Sequence, residues 1–352
     1  MTQASTSDAL FLPGEIESAI RSAISSAENI LCVSHVSPDG DAVGSLLGMG
    51  WILRHLGKNP ALALADRPSA DFGFIPGFDQ IVGATAVADA YDLIICLDAG
   101  SQDRMGAIYR PALHDGIPLI IIDHHITNTN FGSINWVEPR CAAVCQMLVY
   151  LADALGAPLS GRLAVALLTG LITDTLGFRT PNTDTHVLQA AMRLTDGGAH
   201  IHEIVARTLN SRSYAGMRLW GSILSDAELQ GRVIWTTISR AQRKQAGAHE
   251  EDGEGLAGFF VSAKEADIGA TFTERMNKAG QTVVECSFRA KPGYDVSQVA
   301  LAYGGGGHPP AAGCTLMGPL EEVAAQVSAA LQEARRSQFA ARQQSTVNAS
   351  HG

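Results

Sequence analysis

Three apolar segments of the sequence each end in residues that can bind a metal ion or transfer a proton. Residues 30–34 lead into His35, residues 93–97 into Asp98, and residues 119–122 into the triplet Asp123-His124-His125. A single apolar run that ends in this way is ordinary, whereas three of them suggest one shared site. Mixed imidazole and carboxylate ligands favour manganese, with iron, cobalt, zinc and magnesium as alternatives. Paired ions of this kind activate water for hydrolysis.

The segments before these polar residues have the character of buried parallel strands. Residues 119–122 are Leu-Ile-Ile-Ile, and Gly116 and Pro118 precede them. Strands that are buried on both faces have continuous β-branched and aliphatic runs, and short helical or loop segments alternate with them here. We therefore predict an α/β fold with a parallel sheet flanked by helices. Ligands of such sheets bind at the carboxyl ends of the strands, where the polar residues stand.

Further acids lie at two predicted helix ends. His35, Asp39 and Asp41 form a His-x-x-x-Asp-x-Asp cluster between a strand and a helix. A helix cap explains one of the two aspartates. The second carboxylate would repel the first, and this repulsion is tolerable only if a cation lies between them. Asp174 ends an apolar helix in which Gly170 permits close packing. The combined set of two imidazoles and four carboxylates suits two divalent ions that share a carboxylate: His35, Asp39, Asp41, Asp98, His124 and Asp174.

A glycine-rich segment near the carboxyl terminus is the candidate for holding phosphate. Gly304 to Gly307 precede His308 and lie between a predicted helix and a predicted strand, so we interpret them as an embedded loop. Successive glycine amides can form an anion-binding nest, and the imidazole can add a hydrogen bond. Arg289, at a strand end, offers a planar fork for phosphate. Arg104 is a weaker candidate, which we expect to hold its own loop by ion pairing. The predicted substrate-binding residues are Arg289, Gly305, Gly306, Gly307 and His308.

Composition limits the partners of the protein. The 352 residues carry a net charge of −10, so no large basic face is expected to hold long nucleic acid. The six cysteines contain no Cys-x-x-Cys pair, and we interpret them as reduced core thiols. No signal peptide and no membrane-spanning run is evident, so we expect a cytoplasmic protein that does not contact membranes.

The length of the chain favours two domains. Residues 229–238, 268–274 and 282–290 are predicted strands of a smaller second α/β domain. The predicted boundaries are a flexible amino terminus over residues 1–14, a catalytic domain over 15–210, a connecting helix over 211–226, a substrate-binding domain over 227–336, and a disordered tail over 337–352.

The ordered motifs resemble those of the DHH phosphoesterase family. The segment 34–45, Leu97-Asp98, Asp123-His124-His125 and Thr173-Asp174-Thr175 resemble its metal-binding motifs. Phe288-Arg289 and the segment 304–313 resemble its DHHA1 substrate domain. The resemblance extends from about residue 15 to about residue 335. In size, the chain is similar to the subgroup of bifunctional oligoribonucleases and 3′-phosphoadenosine-5′-phosphate (PAP) phosphatases.

The resemblance implies a role for each residue of the site. One divalent ion, expected to be Mn²⁺, would be bound by His35, Asp39 and Asp98. The second would be bound by Asp41, Asp98, His124 and Asp174, so that Asp98 is the bridge. Asp123 would orient the imidazoles, and His125 would hydrogen-bond the substrate phosphate. Relatives often have glycine directly after Thr175, whereas Leu176 precedes Gly177 here, which leaves the shape of the base pocket open.

The resemblance also implies the reaction, which is two-metal hydrolysis of short oligoribonucleotides to mononucleotides, of PAP to AMP, or of both. Phosphodiesterases of cyclic or linear dinucleotides are the closest alternative. An exonuclease of the RecJ type, a pyrophosphatase and a catalytically silent nucleotide sensor are less favoured. A homodimer is an open alternative to a monomer.

Overall fold

A computed structural model describes residues 11–88, 90–277 and 279–349. The chain divides into two compact units after Ser211. In the first unit, the described strands form a six-stranded parallel sheet in the order β3-β2-β1-β4-β5-β6. The strands are β1 Ile30–Val33, β2 Ala61–Ala63, β3 Ile81–Val82, β4 Leu93–Leu97, β5 Leu119–Asp123 and β6 Ile134–Val137.

The strand order places the sequence-predicted site at a switch in chain direction. From β1 the chain proceeds outward to β2 and β3, and it then returns to β4 on the other side of β1. Crevices for ligands open at the carboxyl ends of the strands where the order reverses in this way. His35, Asp98 and Asp123 all stand at these ends, on β1, β4 and β5. The predicted parallel sheet with its polar edge is confirmed.

Helices flank the first sheet and complete its core. They are α1 Gly14–Ser26, α2 Gly40–His55, α3 Pro111–His114, α4 Val144–Leu155, α5 Arg162–Asp174, α6 Thr185–Asp196 and α7 Ile201–Thr208. Glycine permits the close approach of α2 to α5. A Cβ atom on Gly44 would lie 2.6 Å from the carbonyl oxygen of Ala166, and one on Gly170 would lie 2.6 Å from Oδ1 of Asp41. The predicted packing role of Gly170 is therefore confirmed.

The second unit has a mixed six-stranded sheet in the order β11-β12-β10-β9-β8-β7. Its strands are β7 Glu228–Gln230, β8 Val233–Ile238, β9 Ile268–Met276, β10 Thr282–Ala290, β11 Gly306–His308 and β12 Ala311–Met317. Its helices are α8 Tyr214–Leu224, α9 Arg240–Ala246, α10 Leu256–Phe260, α11 Ser297–Ala302 and α12 Leu320–Ala349. Phe272 and Phe288 are fully buried on the face that α11 and α12 cover. The predicted combination of a parallel α/β domain with a second α/β domain is confirmed.

The amino-terminal prediction is wrong for the part that the structure describes. Phe11 and Leu12 are buried, and the Phe11 ring stacks on Tyr150 at 5.2 Å between centroids. The indole nitrogen of Trp136 donates a hydrogen bond of 2.8 Å to the carbonyl oxygen of Phe11. Two apolar side chains therefore anchor a segment that its position alone suggested would be flexible. Residues 1–10 lie outside the described residues.

The carboxyl-terminal prediction also needs correction. Helix α12 continues to Ala349, whereas the sequence suggested an end near Arg336 and a disordered tail. Alanine, glutamine and arginine are good helix formers, so a composition rich in them is compatible with a helix. Gln338 also anchors the extension, because its amide accepts from the backbone of Asp295 and donates to it, both at 2.8 Å. Residues 350–352 lie outside the described residues.

The predicted connecting helix is α8, and it belongs to the second unit. Thr236 of β8 donates a hydrogen bond of 3.0 Å to the carbonyl oxygen of Ile223, and Trp220 donates one of 3.0 Å to that of Asp252. These contacts make α8 part of the packed structure. Among the helices that the structure describes, none has the length and apolar character needed to span a bilayer.

Candidate metal centre

Asp98 lies at the centre of the polar cluster on the carboxyl edge of the first sheet. Its Oδ2 atom is 3.5 Å from Nε2 of His35, and its Oδ1 atom is 3.6 Å from Nε2 of His124. His124 Nε2 is also 3.4 Å from Oδ2 of Asp174. On the other side, His35 Nε2 is 3.7 Å from Oδ1 of Asp39. Asp98 is therefore the carboxylate that both sides of the cluster share.

Within the described chain, one oxygen of the buried Asp98 carboxylate lacks a hydrogen-bond partner. The residue is 3 % exposed, and its Oδ1 atom is buried without a hydrogen-bond partner among the described residues. Its backbone has φ of +58°, in the left-handed region that non-glycine residues rarely adopt. A buried carboxylate oxygen without a donor is costly unless a cation completes its surroundings. This unpartnered oxygen fits a metal ligand.

The two aspartates at the start of α2 have different local roles. Asp39 caps the helix, because its Oδ1 accepts from the amides of Asp41 and Ala42 at 3.1 and 3.0 Å. Asp41 is fully buried and accepts from the amides of Val144 and Cys145 at 2.6 and 3.0 Å. Its carboxylate thus stands at the amino terminus of α4, where the helix dipole favours negative charge. The predicted cap explains Asp39, while Asp41 joins two helix starts.

The shifted pKa values in the cluster reflect the repulsion between its closely spaced carboxylates. Burial and the neighbouring charge of Asp98 raise the pKa of Asp41 to about 7. Burial and the charges of Asp41 and Asp98 also raise the pKa of Asp174 well above its usual value. Burial alone would lower the pKa of His35, but the neighbouring carboxylates of Asp39 and Asp98 outweigh it and raise the pKa to about 10. Divalent cations would replace these protons and relieve the repulsion.

Asp123 orients one imidazole directly and the other through the backbone. Its Oδ1 atom lies 2.8 Å from Nδ1 of His125 and accepts from the amide of His124 at 2.8 Å. The hydrogen bond to Asp123 raises the pKa of His125. The ring of His124 instead contacts the carbonyl oxygen of Cys141 through Nδ1, at 3.3 Å. Asp123 therefore contacts the ring of His125 but only the backbone of His124.

Asn128 is a supporting residue that the sequence analysis missed. Its side-chain amide donates to Oδ2 of Asp123 at 2.5 Å and to the carbonyl oxygen of Ala99 at 3.1 Å. It therefore fixes the carboxylate that orients His125 and ties it to the loop after β4. The only available signal was an asparagine in the polar segment that follows the Asp-His-His triplet.

Three overlapping groups of side chains could each hold a metal ion. They are His35, Asp39 and Asp98; Asp41, His124 and Asp174; and Asp98, His124 and His125. In each group the ligand atoms lie within 4.8 Å of one another. The structure thus brings together all six residues predicted as ligands. It adds His125, which was predicted to contact substrate, to the groups with ligand geometry.

In the glycine segment of the second unit, the fold uses amides that were predicted to be available for an anion-binding nest. The amides of Gly304 and Gly305 donate to the carbonyl oxygens of Leu301 and Ala300, at 3.0 and 2.8 Å. These two bonds form the helix-terminating Schellman motif at the end of α11. Gly306 begins the short strand β11, which pairs with β12 at the edge of the sheet. Two of the four amides are therefore already used by the fold.

Arg289 and His308 lie in one row of the second sheet. Both residues are opposite Ala311, Arg289 from β10 and His308 from β11. Residues opposite one another in a sheet project from the same face, so the arginine and the imidazole flank a small residue. Arg289 donates to the carbonyl oxygen of Phe288 at 2.9 Å, and within the described residues no carboxylate lies within 4.0 Å of its guanidinium.

Arg104 is not held by an ion pair. Within the described chain, no carboxylate approaches its guanidinium within 4.0 Å, which contradicts the predicted loop-holding pair. Its Nη2 atom instead lies 3.1 Å from Nδ1 of His35, and its side chain is exposed.

Comparison with known proteins agrees with the motifs. Residues 29–171 match the family described as DHH family, N-terminal domain. A Thermus thermophilus protein named bifunctional oligoribonuclease and PAP phosphatase NrnA is 34% identical over 293 residues, which cover 82% of this chain and 84% of that protein. The chain belongs to the DHH family. A Bacillus subtilis DHH relative with the same name is 25% identical over 83% of this chain and 91% of its own length.

Solved structures share the fold of this DHH protein. An exopolyphosphatase-related protein from Bacteroides fragilis has a TM-score of 0.83 at 24% identity, with 91% of this chain and 96% of that chain covered. RecJ from Thermus thermophilus, solved in complex with Mn²⁺, has a TM-score of 0.53 at 14% identity and covers 92% of this chain. The chain spans 54% of that RecJ chain. The resemblance to the DHH family predicted from the motifs is confirmed.

Proposed function

We propose that this protein is a divalent-metal phosphoesterase that hydrolyses short oligoribonucleotides to mononucleotides and PAP to AMP. The observation that carries the proposal is the buried Oδ1 of Asp98, which has no hydrogen-bond partner among the described residues and lies between two groups of imidazoles and carboxylates. The names of the Thermus and Bacillus relatives support this choice of substrates.

The proposed metal ligands follow the two sides of the cluster. His35, Asp39 and Asp98 would hold one ion, and Asp41, Asp98, His124 and Asp174 would hold the other, with Mn²⁺ as the proposed metal. Such ions supply Lewis acidity and lower the pKa of a water nucleophile. Asp41 is kept in place by the amides of α4, so its carboxylate does not depend on the metal for its position.

His125 is proposed to hydrogen-bond a phosphate oxygen of the substrate. Asp123 engages its Nδ1 atom at 2.8 Å, and we propose that Nε2 is the ring nitrogen that contacts substrate. Asn128 in turn holds Asp123, so the imidazole is oriented before substrate arrives. A pre-oriented donor costs less to use in the transition state than one that must first be ordered.

The row formed by Arg289, Ala311 and His308 is proposed to bind the part of the nucleotide that does not react. The small Ala311 leaves space between a guanidinium and an imidazole, both of which can donate to phosphate. We propose that the main contribution of the glycine segment is space, and less a nest of amides, because its residues have no side chains: Gly305, Gly306 and Gly307. A Cβ atom on Gly307 would lie 2.5 Å from the carbonyl oxygen of Ala311.

The proposed location is the cytoplasm. All six cysteines are free and buried, as expected for a protein that folds in a reducing compartment. Burial raises the pKa of the Cys32 and Cys145 thiols, which disfavours the reactive thiolate.

A turnover panel with Mn²⁺ tests the proposed function. The substrates are PAP, the dinucleotide pApA, cyclic di-AMP, pyrophosphate and a long single-stranded RNA, each with metal-stripped protein as the control. We expect AMP from PAP and pApA only when metal is present. Preferred turnover of cyclic di-AMP would replace the proposal with a cyclic-dinucleotide phosphodiesterase. Absence of turnover on every substrate would favour the nucleotide sensor.

A further inference from the structure

The backbone of Arg104 is fastened beside the end of β1. The amide of Val36 donates to the carbonyl oxygen of Arg104 at 2.7 Å, and the amide of Arg104 donates to that of Ser101 at 3.1 Å. Gly106 follows with φ of +57°, and a Cβ atom there would lie 2.5 Å from Cγ1 of Val36. The segment that carries Arg104 is thus pressed against the residue next to His35. Its position is set by the fold.

The Arg104 guanidinium has no acceptor in His35. The Nδ1 atom of His35 lies 2.8 Å from the carbonyl oxygen of Val36 and 3.1 Å from Nη2 of Arg104. A carbonyl oxygen can only accept, so the shorter contact requires a hydrogen on Nδ1. A guanidinium can only donate, so its N–H groups find no lone pair on this nitrogen. The ring of His35 is oriented by Val36 and does not need Arg104.

Paired arginines elsewhere in the chain show what Arg104 lacks. Arg140 lies 2.6 Å from Glu138, and Arg335 lies 2.7 Å from Asp267. In the described chain Arg104 has no such carboxylate, and its side chain is exposed. It lies beside His35, whose Nε2 atom faces Asp98 in the candidate metal centre. A planar guanidinium in this position is suited to bind a phosphate group through two hydrogen bonds.

We propose that Arg104 binds a non-bridging phosphate oxygen of the substrate on the His35 side of the metal centre. The inference rests on the proposed phosphoesterase function and assigns a phosphate-binding residue to it. Two donors of one guanidinium would hold the phosphate in a fixed orientation, and the charge would add to that of the cations. Removal of a charge-assisted hydrogen bond of this kind corresponds to a loss of about 10- to 100-fold in affinity.

The test compares Arg104→Ala, Arg104→Lys and the control Arg21→Ala. Arg21 is an exposed arginine of α1 that is paired with Glu17, so its removal matches the change in charge away from the site. Calorimetry measures AMP binding to Mn²⁺-loaded protein, elemental analysis measures bound Mn²⁺, and kinetics measure kcat/KM for pApA. We expect Arg104→Ala to bind AMP about 10- to 100-fold more weakly with unchanged Mn²⁺ content. We also expect added guanidinium chloride to restore part of its kcat/KM, and Lys to replace Arg incompletely.

The outcomes separate this inference from the proposed function. Unchanged AMP binding in Arg104→Ala, AMP binding too weak to detect in the wild type, or loss of Mn²⁺ from the variant would overturn the phosphate-binding role. If the wild type binds AMP through Arg104 but does not hydrolyse pApA or PAP, the phosphate-binding inference stands and the proposed substrates are wrong. Weaker AMP binding with full Mn²⁺ content and partial rescue would support both.

Discussion

Asp98 combines several unfavourable features in one residue. Its backbone is left-handed, its side chain is buried, and its Oδ1 atom lacks a donor among the described residues. A strained backbone of this kind costs about 1–3 kcal/mol, and an unsatisfied buried group costs a similar amount. Residues of this kind persist where the surrounding structure and a ligand over-determine them. The geometry therefore marks Asp98 as the residue on which the site depends most.

Asp98→Ala is expected to abolish turnover more completely than any other single ligand substitution. It removes the carboxylate shared by both sides of the cluster, so activity should fall by more than about 100-fold. Elemental analysis should show loss of bound Mn²⁺, while circular dichroism should show a retained fold. Asp103→Ala removes an exposed carboxylate from the same loop and serves as the control. Two tightly bound metal ions per chain in Asp98→Ala would contradict the bridging assignment.

Arg289→Ala and His308→Ala are expected to raise KM for pApA by about tenfold, with little change in kcat. Both residues lie in the row around Ala311 and are proposed to hold a phosphate remote from the reacting one. The control is Thr315→Ala, an exposed position further along β12. Steady-state kinetics with Mn²⁺ measure both constants. A loss confined to kcat would move the two residues into the chemistry.

At the scale of elements, the metal centre depends on how closely α2 and α5 approach. Gly44 and Gly170 have no side chains at the contact between these helices. The Asp41 carboxylate occupies the position that a side chain on Gly170 would need. Asp41 also receives the first amides of α4, so three helices meet around one buried charge. Each helix thus contributes to the position of a proposed ligand as well as to the core.

Gly170→Ala is expected to lower the free energy of unfolding by about 1–3 kcal/mol, the usual cost of overpacking a core. The added methyl group would displace Asp41 or Cys145, so Mn²⁺ affinity should fall as well. Gly221→Ala, on the exposed face of α8 with open space around it, is the control. That change should raise stability by about 0.5–1 kcal/mol. Urea denaturation and Mn²⁺ titration measure both effects, and an unaffected Gly170→Ala protein would refute the packing argument.

Helix α12 is attached to the residue before β9 by ion pairs around the buried carboxylate of Asp267. Asp267 accepts from Arg335 at 2.7 Å and from Arg232 at 2.9 Å. Burial would raise the pKa of Asp267, but these two arginines outweigh it and lower the pKa to about 2. The carboxylate therefore adds stability that is fully present above its usual pKa of 3.8 and that is lost as the pH falls towards 2.

Asp267→Asn is expected to cost about 1 kcal/mol at neutral pH, because solvent screens the exposed Arg232 and reduces the effect that the pKa shift alone would give. The difference from the wild type should shrink as the pH falls from about 4 towards 2, because both proteins then lack the charge. Glu333→Gln breaks an exposed pair with Arg336 and should leave stability unchanged. Urea unfolding across this pH range measures both variants. If the difference in the free energy of unfolding were the same at every pH, the contribution of Asp267 would come from packing and not from its charge.

At the scale of the whole molecule, we expect net charge to limit the length of the substrate. The protein carries −10 and is only 6% aromatic, whereas tracking of long single strands needs a continuous basic groove with stacking aromatic rings. The negative net charge of the protein would repel nucleotides that trail beyond the proposed phosphate-binding residues. Additional length therefore contributes little to binding.

We expect rates to be highest for dinucleotides to about pentamers, the few nucleotides that such a site can contact. A labelled dinucleotide and a long single-stranded RNA are compared at equal concentrations of ends, Mn²⁺ and salt. A repeat at higher salt tests the role of repulsion, because screening should reduce the difference in rate between the dinucleotide and the long RNA. Equal or faster processing of the long RNA would favour the exonuclease alternative.

The local pattern of the sequence predicted the parallel sheet and the six residues that the structure brings together in the candidate metal centre. Aliphatic runs that end in His35, Asp98 and Asp123 specify buried strands and their polar ends, because both properties depend on neighbouring residues. The short strand β6, Ile134–Val137, lacked such a run and was missed.

Only the tertiary structure decided which partners complete these residues. Asp41 meets Val144 across a separation of 103 residues, and Arg104 meets His35 across 69. Contacts of this kind arise from helix packing and loop closure, which leave no periodic pattern in the sequence. For the same reason the glycine segment looked like a nest, although the end of α11 uses its first two amides. Similarly, Phe11 is buried against Tyr150 and Gln338 is anchored by Asp295, although both residues lie in segments that were predicted to be flexible or disordered.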